Sequence, residues 1–216
     1  MTTATAPTSS QDRCVLLRGI SWQTYESLLN ELQAEGQHLR LTYDQGLLEI
    51  MSPSPWHGKA GLLIARLVEI YTLEKQIPLV GLGNTTWRRE SLAKGIEADE
   101  CYYIQNAAWA AGREEFDLAV DPPPDLAIEI DITSSSLDKQ SIYAALGVPE
   151  LWRFENEKLI ILQLSHSGIY EAAPVSLFLP ALTPAVIERT VEERTSSKTD
   201  TQIMADFVKW VQSQSA

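Results

Sequence analysis

At 216 residues, with 44% hydrophobic and 21% charged side chains, the chain has the length and composition of one globular domain with a substantial core. A formal net charge of -12 argues against broad binding of a phosphate backbone, which a basic face supports. No apolar run reaches the roughly 18 residues of a membrane span, and Cys14 and Cys101 are too few for a disulfide framework and lack C-x-x-C spacing.

The first residues, MTTATAPTSSQDR, carry no basic start followed by an apolar stretch, so they do not read as a secretory signal. A disordered leader over 1–18, a single domain over 19–216 and a cytoplasmic location are expected. Ser21 to Leu32 has a capping serine and a Tyr25, Leu28, Leu29, Leu32 stripe, which predicts a helix. Leu39 to Tyr43 and Leu47 to Met51 flank Asp44-Gln45-Gly46 and predict a hairpin. After the Ser52-Pro53-Ser54-Pro55 break, His57 to Lys75 is the strongest helical segment, with Leu63, Leu67, Ile70 and Leu73 as its apolar stripe. Short strands are expected at Leu79 to Leu82 and Thr85 to Trp87. Gly95 to Ile104 reads as a loop running into a strand with Asp99 near its start, and Asn106 to Pro124 as an acidic connector.

Leu126 to Ile132 then alternates with period 2: Leu126, Ile128, Ile130 and Ile132 on one face, Asp125, Ala127, Glu129 and Asp131 on the other. Same-face carboxylates on a strand lie roughly 6.6 Å apart, and burying them uncompensated is costly. A divalent cation or a lysine is the expected compensation, and Lys139 follows, about two turns before the end of a short helix. Two carboxylates with water and phosphate oxygens suffice for Mg²⁺, and Asp99 and Glu129 on neighbouring strands would supply them. Lys139 beside them would stabilise charge developing on a phosphate. Asp125, Asp131 and His57 are accessory candidates, His57 chiefly as a residue of the helix start. Leu151 to Phe154 and Lys158 to Leu164 form a second predicted hairpin, Gly168 to Glu171 starts a last strand, and Val186 to Arg194 and Ile203 to Gln212 predict helices. An α/β (α+β) fold with a mixed central sheet flanked by helices follows. No P-loop, dinucleotide fingerprint, hydrolase elbow or H-E-x-x-H is present.

The proline turn leading to His57, Asp99 before a strand, Pro124-Asp125-Leu126-Ala127-Ile128-Glu129-Ile130, the Ser134 to Ser136 run, Lys139 four residues before Tyr143, and Gly147-Val148-Pro149-Glu150-Leu151-Trp152 occur in that order. Together they resemble the Uma-type family of bacterial restriction endonucleases in the PD-(D/E)XK nuclease superfamily, over roughly residues 20 to 185. The resemblance implies a restriction-endonuclease-like core and an endonuclease that hydrolyses DNA with Mg²⁺, or Mn²⁺ in its place. It also implies Asp99 and Glu129 as metal ligands and Lys139 in the lysine role. Ala98 replaces the proline common before the first Asp. Asp131 stands where the superfamily carries its lysine, so Lys139 would reach in from the following helix. DNA as partner and a homodimer are expected with this reading. The alternative is an inactive descendant of the fold that binds a protein partner.

Overall fold

The computed structural model describes residues 12–36, 39–131 and 136–214. In chain order the elements are β1 (Arg13–Arg18), α1 (Trp22–Ala34), β2 (Arg40–Asp44), β3 (Leu47–Ser52), α2 (Pro55–Glu74), β4 (Val80–Gly81), β5 (Thr86–Arg89), β6 (Lys94–Glu97) and β7 (Glu100–Tyr103). There follow α3 (Ala107–Ala110), β8 (Leu126–Asp131), α4 (Lys139–Leu146), β9 (Glu150–Glu155), β10 (Lys158–Leu164), β11 (Tyr170–Ala173), α5 (Pro184–Glu192) and α6 (Asp200–Ser213).

The expected mixed sheet is present, six strands in the order β11-β10-β9-β8-β7-β4, and a five-stranded antiparallel sheet, β1-β3-β2-β6-β5, stands beside it. Among the described residues of the mixed sheet only β8 and β9 run parallel, with Glu129 opposite Arg153 and Asp131 opposite Glu155. A parallel pair needs a crossover connection, and α4 supplies it. Gly147 ends that helix at φ 82°, a left-handed conformation that glycine adopts without steric penalty.

All six residues of β8 are buried. Leu126, Ile128 and Ile130 pack with Trp152, Phe154 and the inner face of α2, while Ala127 packs with Ile142, Tyr143 and Leu151 on the other side. The alternation read from the sequence therefore sends Glu129 and Asp131 toward α4. α1 begins at its expected serine cap, whereas α2 begins two residues before the expected His57, at Pro55, with Ser54 as its cap. Ser21 accepts from the Thr24 amide at 3.1 Å, and Ser54 accepts from the His57 amide at 3.3 Å ahead of Pro55.

Four expectations need correction. Arg13–Arg18, assigned to the disordered leader, form β1, paired with β3 from Arg13–Ser52 to Arg18–Leu47. As an edge strand with mostly exposed residues it carries no period-2 pattern; leader residues 1–11 lie outside the described residues. The α2 stripe is rotated: Leu73 is 75% exposed, whereas Ala60, Ile64 and Val68 are buried with Leu63 and Leu67. This helix touches β8, α5 and α6, so its apolar face is wider than one stripe. Residues 94–104 are not a loop and one strand but two strands in different sheets, broken at Ala98 and Asp99. The acidic connector contains α3. Among the described residues no helix is long and apolar enough to cross a membrane.

Candidate active site

The break between β6 and β7 turns Asp99 inward onto β8. Its Oδ2 accepts from the Ile130 amide at 2.8 Å, next to Glu129, and its Oδ1 lies 2.7 Å from His57 Nε2 and 3.4 Å from Arg40 Nε. Lys139 and Tyr143 share one face of α4 at four-residue spacing. Both reach the same carboxylate: Lys139 Nζ lies 2.5 Å from Glu129 Oε2, and the Tyr143 hydroxyl donates to Glu129 Oε1. Asp131 is bridged at 3.4 Å by the Lys139 ammonium and at 3.0 Å by Arg153 Nε. Exposure is 7% for Asp99, 1% for Glu129 and 9% for Asp131, so these charges interact with little screening by water.

Burial pushes the Glu129 carboxyl up, with Asp99 and Asp131 adding to the rise and Lys139 opposing it. Burial alone would depress the Lys139 ammonium, but Glu129, Asp131 and Asp99 outweigh it and hold that group above its ordinary value. The two shifts differ in what they imply for the pair. We take it as ionised, because a neutral Glu129 would leave the buried ammonium with only the longer contact to Asp131. Burial also raises Asp99, yet His57, Lys139 and the Ile130 amide overcome it and keep its carboxyl below the usual range. One residue on, Glu100 is pushed up to about 7 by burial and by the charges of Glu69 and Asp99.

His57 is buried between two carboxylates, with Nδ1 3.0 Å from Asp12 Oδ2. Burial lowers its pKa, but the bonds and charges of Asp12 and Asp99 raise it from 6.5 to about 9. A folded-state value above the unfolded one means stability that is complete below pH 6.5 and is lost as pH rises through about 9. The upper bound is on the order of 3 kcal/mol. Thermal melts from pH 6.5 to 9.5 should show this decline, and His57→Gln should flatten it. The raised carboxyl of Glu100 loses its contribution as pH rises through about 7, so the decline above about pH 8 is the part that reports His57.

Of the residues singled out from the sequence, Asp99, Glu129, Asp131, Lys139 and His57 come together here. Asp125 does not. Its carboxylate accepts from the amides of Ile104 at 2.7 Å and Asn106 at 2.9 Å and from Asn106 Nδ2 at 2.7 Å, fastening the chain after β7. Residues 132–135, with most of the serine run, lie outside the described residues. Sequence reasoning missed Asp12, Arg40, Arg153 and Glu49, and gave Tyr143 no role. The buried Glu49 carboxylate accepts from the Ser136 amide at 2.6 Å and so holds the segment leading into α4. The four-residue step from Lys139 to Tyr143 was a usable signal; the others are brought in by tertiary pairing and left none.

A model of the family Uma2, described as "putative restriction endonuclease", matches residues 22–195. The chain belongs to the Uma2 family. Membership agrees with the mixed α+β architecture and with the resemblance carried by the motifs from His57 to Trp152. A crystal structure of a "putative nuclease belonging to DUF820" from Anabaena variabilis is similar at a TM-score of 0.46 and 15% identity, over 69% of this chain and 89% of that one. No curated protein matches the chain.

Whether this Uma2 site suits a hard divalent cation can be judged from its donor set. Among the described residues no three acidic, histidine or cysteine side chains converge as a metal cage. Asp99, from the break between β6 and β7, and Glu129, from β8, nevertheless offer oxygen donors, and Mg²⁺ commonly takes one or two carboxylates and completes its shell with water and substrate oxygens. Each of their four oxygens has one donor in the chain and retains a second lone pair. The residues fit the ion in kind.

Proposed function

We propose that this Uma2 domain is a metal-dependent endonuclease that hydrolyses DNA phosphodiester bonds, with Asp99 and Glu129 holding Mg²⁺ or Mn²⁺. The observation that carries the reading is the pair of buried carboxylates, Asp99 in the break between β6 and β7 and Glu129 on β8, with the Lys139 ammonium 2.5 Å from Glu129. Mg²⁺, when bound, supplies Lewis-acid polarisation of the phosphate oxygens. The chain's own groups do the rest. Tyr143 and the Ile130 amide fix the two carboxylates, so their orientation is set before substrate arrives. Lys139 keeps its proton and offers its N–H donors to charge growing on the phosphate. Arg153, more exposed than Lys139, sits at the rim where a second phosphate oxygen would meet a planar fork of donors. A cytoplasmic location suits a chain with two cysteines, and two copies acting together suit cleavage of both strands of a duplex.

The test is incubation of plasmid DNA with the wild-type protein in Mg²⁺, in Mn²⁺ and in EDTA. Nicking or linearisation with either metal and none with EDTA is the expected result; intact plasmid under all three conditions overturns the reading. One observation favours a second reading, an inactive module that binds a protein partner. Every carboxylate oxygen of Asp99, Glu129 and Asp131 is already met by a donor within the chain. Calorimetry with Mn²⁺ separates the two, since the inactive module would show no binding heat.

A further inference from the structure

We propose that Asp12 is a positioning residue of this site, acting through His57 on Asp99. The inference rests on the metal-binding reading above and goes beyond it, because Asp12 precedes the residues 22–195 that the family model matches.

The geometry is a chain of three buried groups. Asp12 Oδ2 lies 3.0 Å from His57 Nδ1, and His57 Nε2 lies 2.7 Å from Asp99 Oδ1. The side chains are 3%, 3% and 5% exposed, so water does not substitute for any link. A neutral imidazole has one N–H and can donate to one carboxylate only. With an acid against each nitrogen, the ring carries both protons, and the one on Nε2 points at Asp99. Asp12 thus favours the doubly protonated ring and fixes its rotation, much as a carboxylate behind a ligating histidine orients that ring at metal centres. Here the residue being steered is the acid itself: Asp99 is held from one side by His57 and from the other by the Ile130 amide.

The sequence brings Asp12 to this place by two means. β1 begins one residue later and pairs Arg13 with Ser52, which lays Asp12 beside the entry to α2. Its Oδ1 then accepts from the Ser54 amide at 2.7 Å, and the carboxylate lies at the N-terminal end of that helix, where negative charge is favoured. The acid is therefore anchored independently of the histidine it orients.

Mn²⁺ alone, titrated by calorimetry, tests this in four proteins: wild type, Asp12→Asn, Asp12→Ala and Leu16→Ala. The asparagine variant keeps an oxygen for the Ser54 amide but removes the charge facing His57. Leu16→Ala loosens β1 while leaving the acid in place. Circular dichroism identifies the folded variants, and whichever Asp12 variant is folded gives the reading. Support is a loss of about tenfold to hundredfold in Mn²⁺ affinity on changing Asp12, with Leu16→Ala close to wild type. Unchanged affinity in a folded Asp12 variant overturns the inference and leaves the nuclease reading standing. So does an equal loss in Leu16→Ala, which would assign the effect to strand docking. No Mn²⁺ binding by the wild type overturns the metal reading itself, and this inference with it.

Discussion

Glu129→Gln should lower metal-dependent DNA cleavage by at least about 10²–10³-fold while leaving the fold intact. The glutamine keeps the volume of the side chain and a carbonyl oxygen for Lys139, and the Tyr143 hydroxyl can rotate to accept from the new amide. What is lost is the charge that the proposed metal site needs. Lys139 then keeps Asp131, at 3.4 Å, as its ion-pair partner, so some stability goes too. Glu129→Ala is the harsher change, because it strands a buried ammonium, a loss of about 3–5 kcal/mol in comparable cases. Glutamine is therefore the variant to read, with cleavage and Mn²⁺ affinity measured on one preparation. Cleavage within tenfold of wild type in a folded Glu129→Gln protein would place the metal on other residues.

The largest effect on stability is expected at Gly95. A Cβ there would run into the Tyr25 hydroxyl, with the ring carbon Cζ at 2.8 Å and Cε1 at 3.0 Å. Tyr25 is fully buried and has no room to retreat, since it stacks on Tyr43 at 4.9 Å and meets Trp22 at 5.2 Å. Gly95 has no positive φ, so alanine there would otherwise gain about 0.4–1 kcal/mol from a less flexible unfolded chain. The clash reverses that sign. Overpacking of this kind costs about 1–3 kcal/mol, and each 1 kcal/mol lowers the melting temperature of a chain this long by about 2–4 °C. Differential scanning calorimetry of Gly95→Ala should therefore show a drop of about 2–12 °C. Tyr25→Phe should be neutral or slightly stabilising, because the hydroxyl it removes is buried without a hydrogen-bond partner. Introduced together, the two changes should restore part of the loss, as the worst contact disappears and those to Cζ and Cε1 remain. A Gly95→Ala protein as stable as wild type would contradict the packing described here.

These two positions show how differently the sequence exposes its features. Glu129 was legible because β8 alternates cleanly and its neighbours are apolar, and Lys139 because a compensating cation had to be near. The hairpin of β2 and β3 and the capped start of α1 were legible for similar local reasons. Gly95 carried no such mark, since the reason for a glycine there is a tyrosine seventy residues earlier in the chain. Asp12 and Arg40 were silent for the same cause: each reaches Asp99 or His57 through strand pairing, which no local period encodes. Asp125 misled because alternation reports the face of a strand but not what waits there, and the amides of Ile104 and Asn106 took its carboxylate.

The crossover from β8 through α4 to β9 bears on the order in which the site comes together. Glu129, Asp131, Lys139, Tyr143 and Arg153 all belong to this one unit, whose loops are short and whose closure is correspondingly undemanding in entropy. Asp99 lies thirty residues earlier, and Asp12 and His57 must be gathered from much farther along the chain. Contact order then places the lysine-bridged acids among the early associations and the histidine-bridged ones among the late. During synthesis, His57 and Asp99 leave the ribosome first yet wait for β8 before Asp99 finds the Ile130 amide. The half of the site that carries Lys139 and Arg153 is a local assembly, and the half that holds Asp99 is completed by the closing of the whole domain.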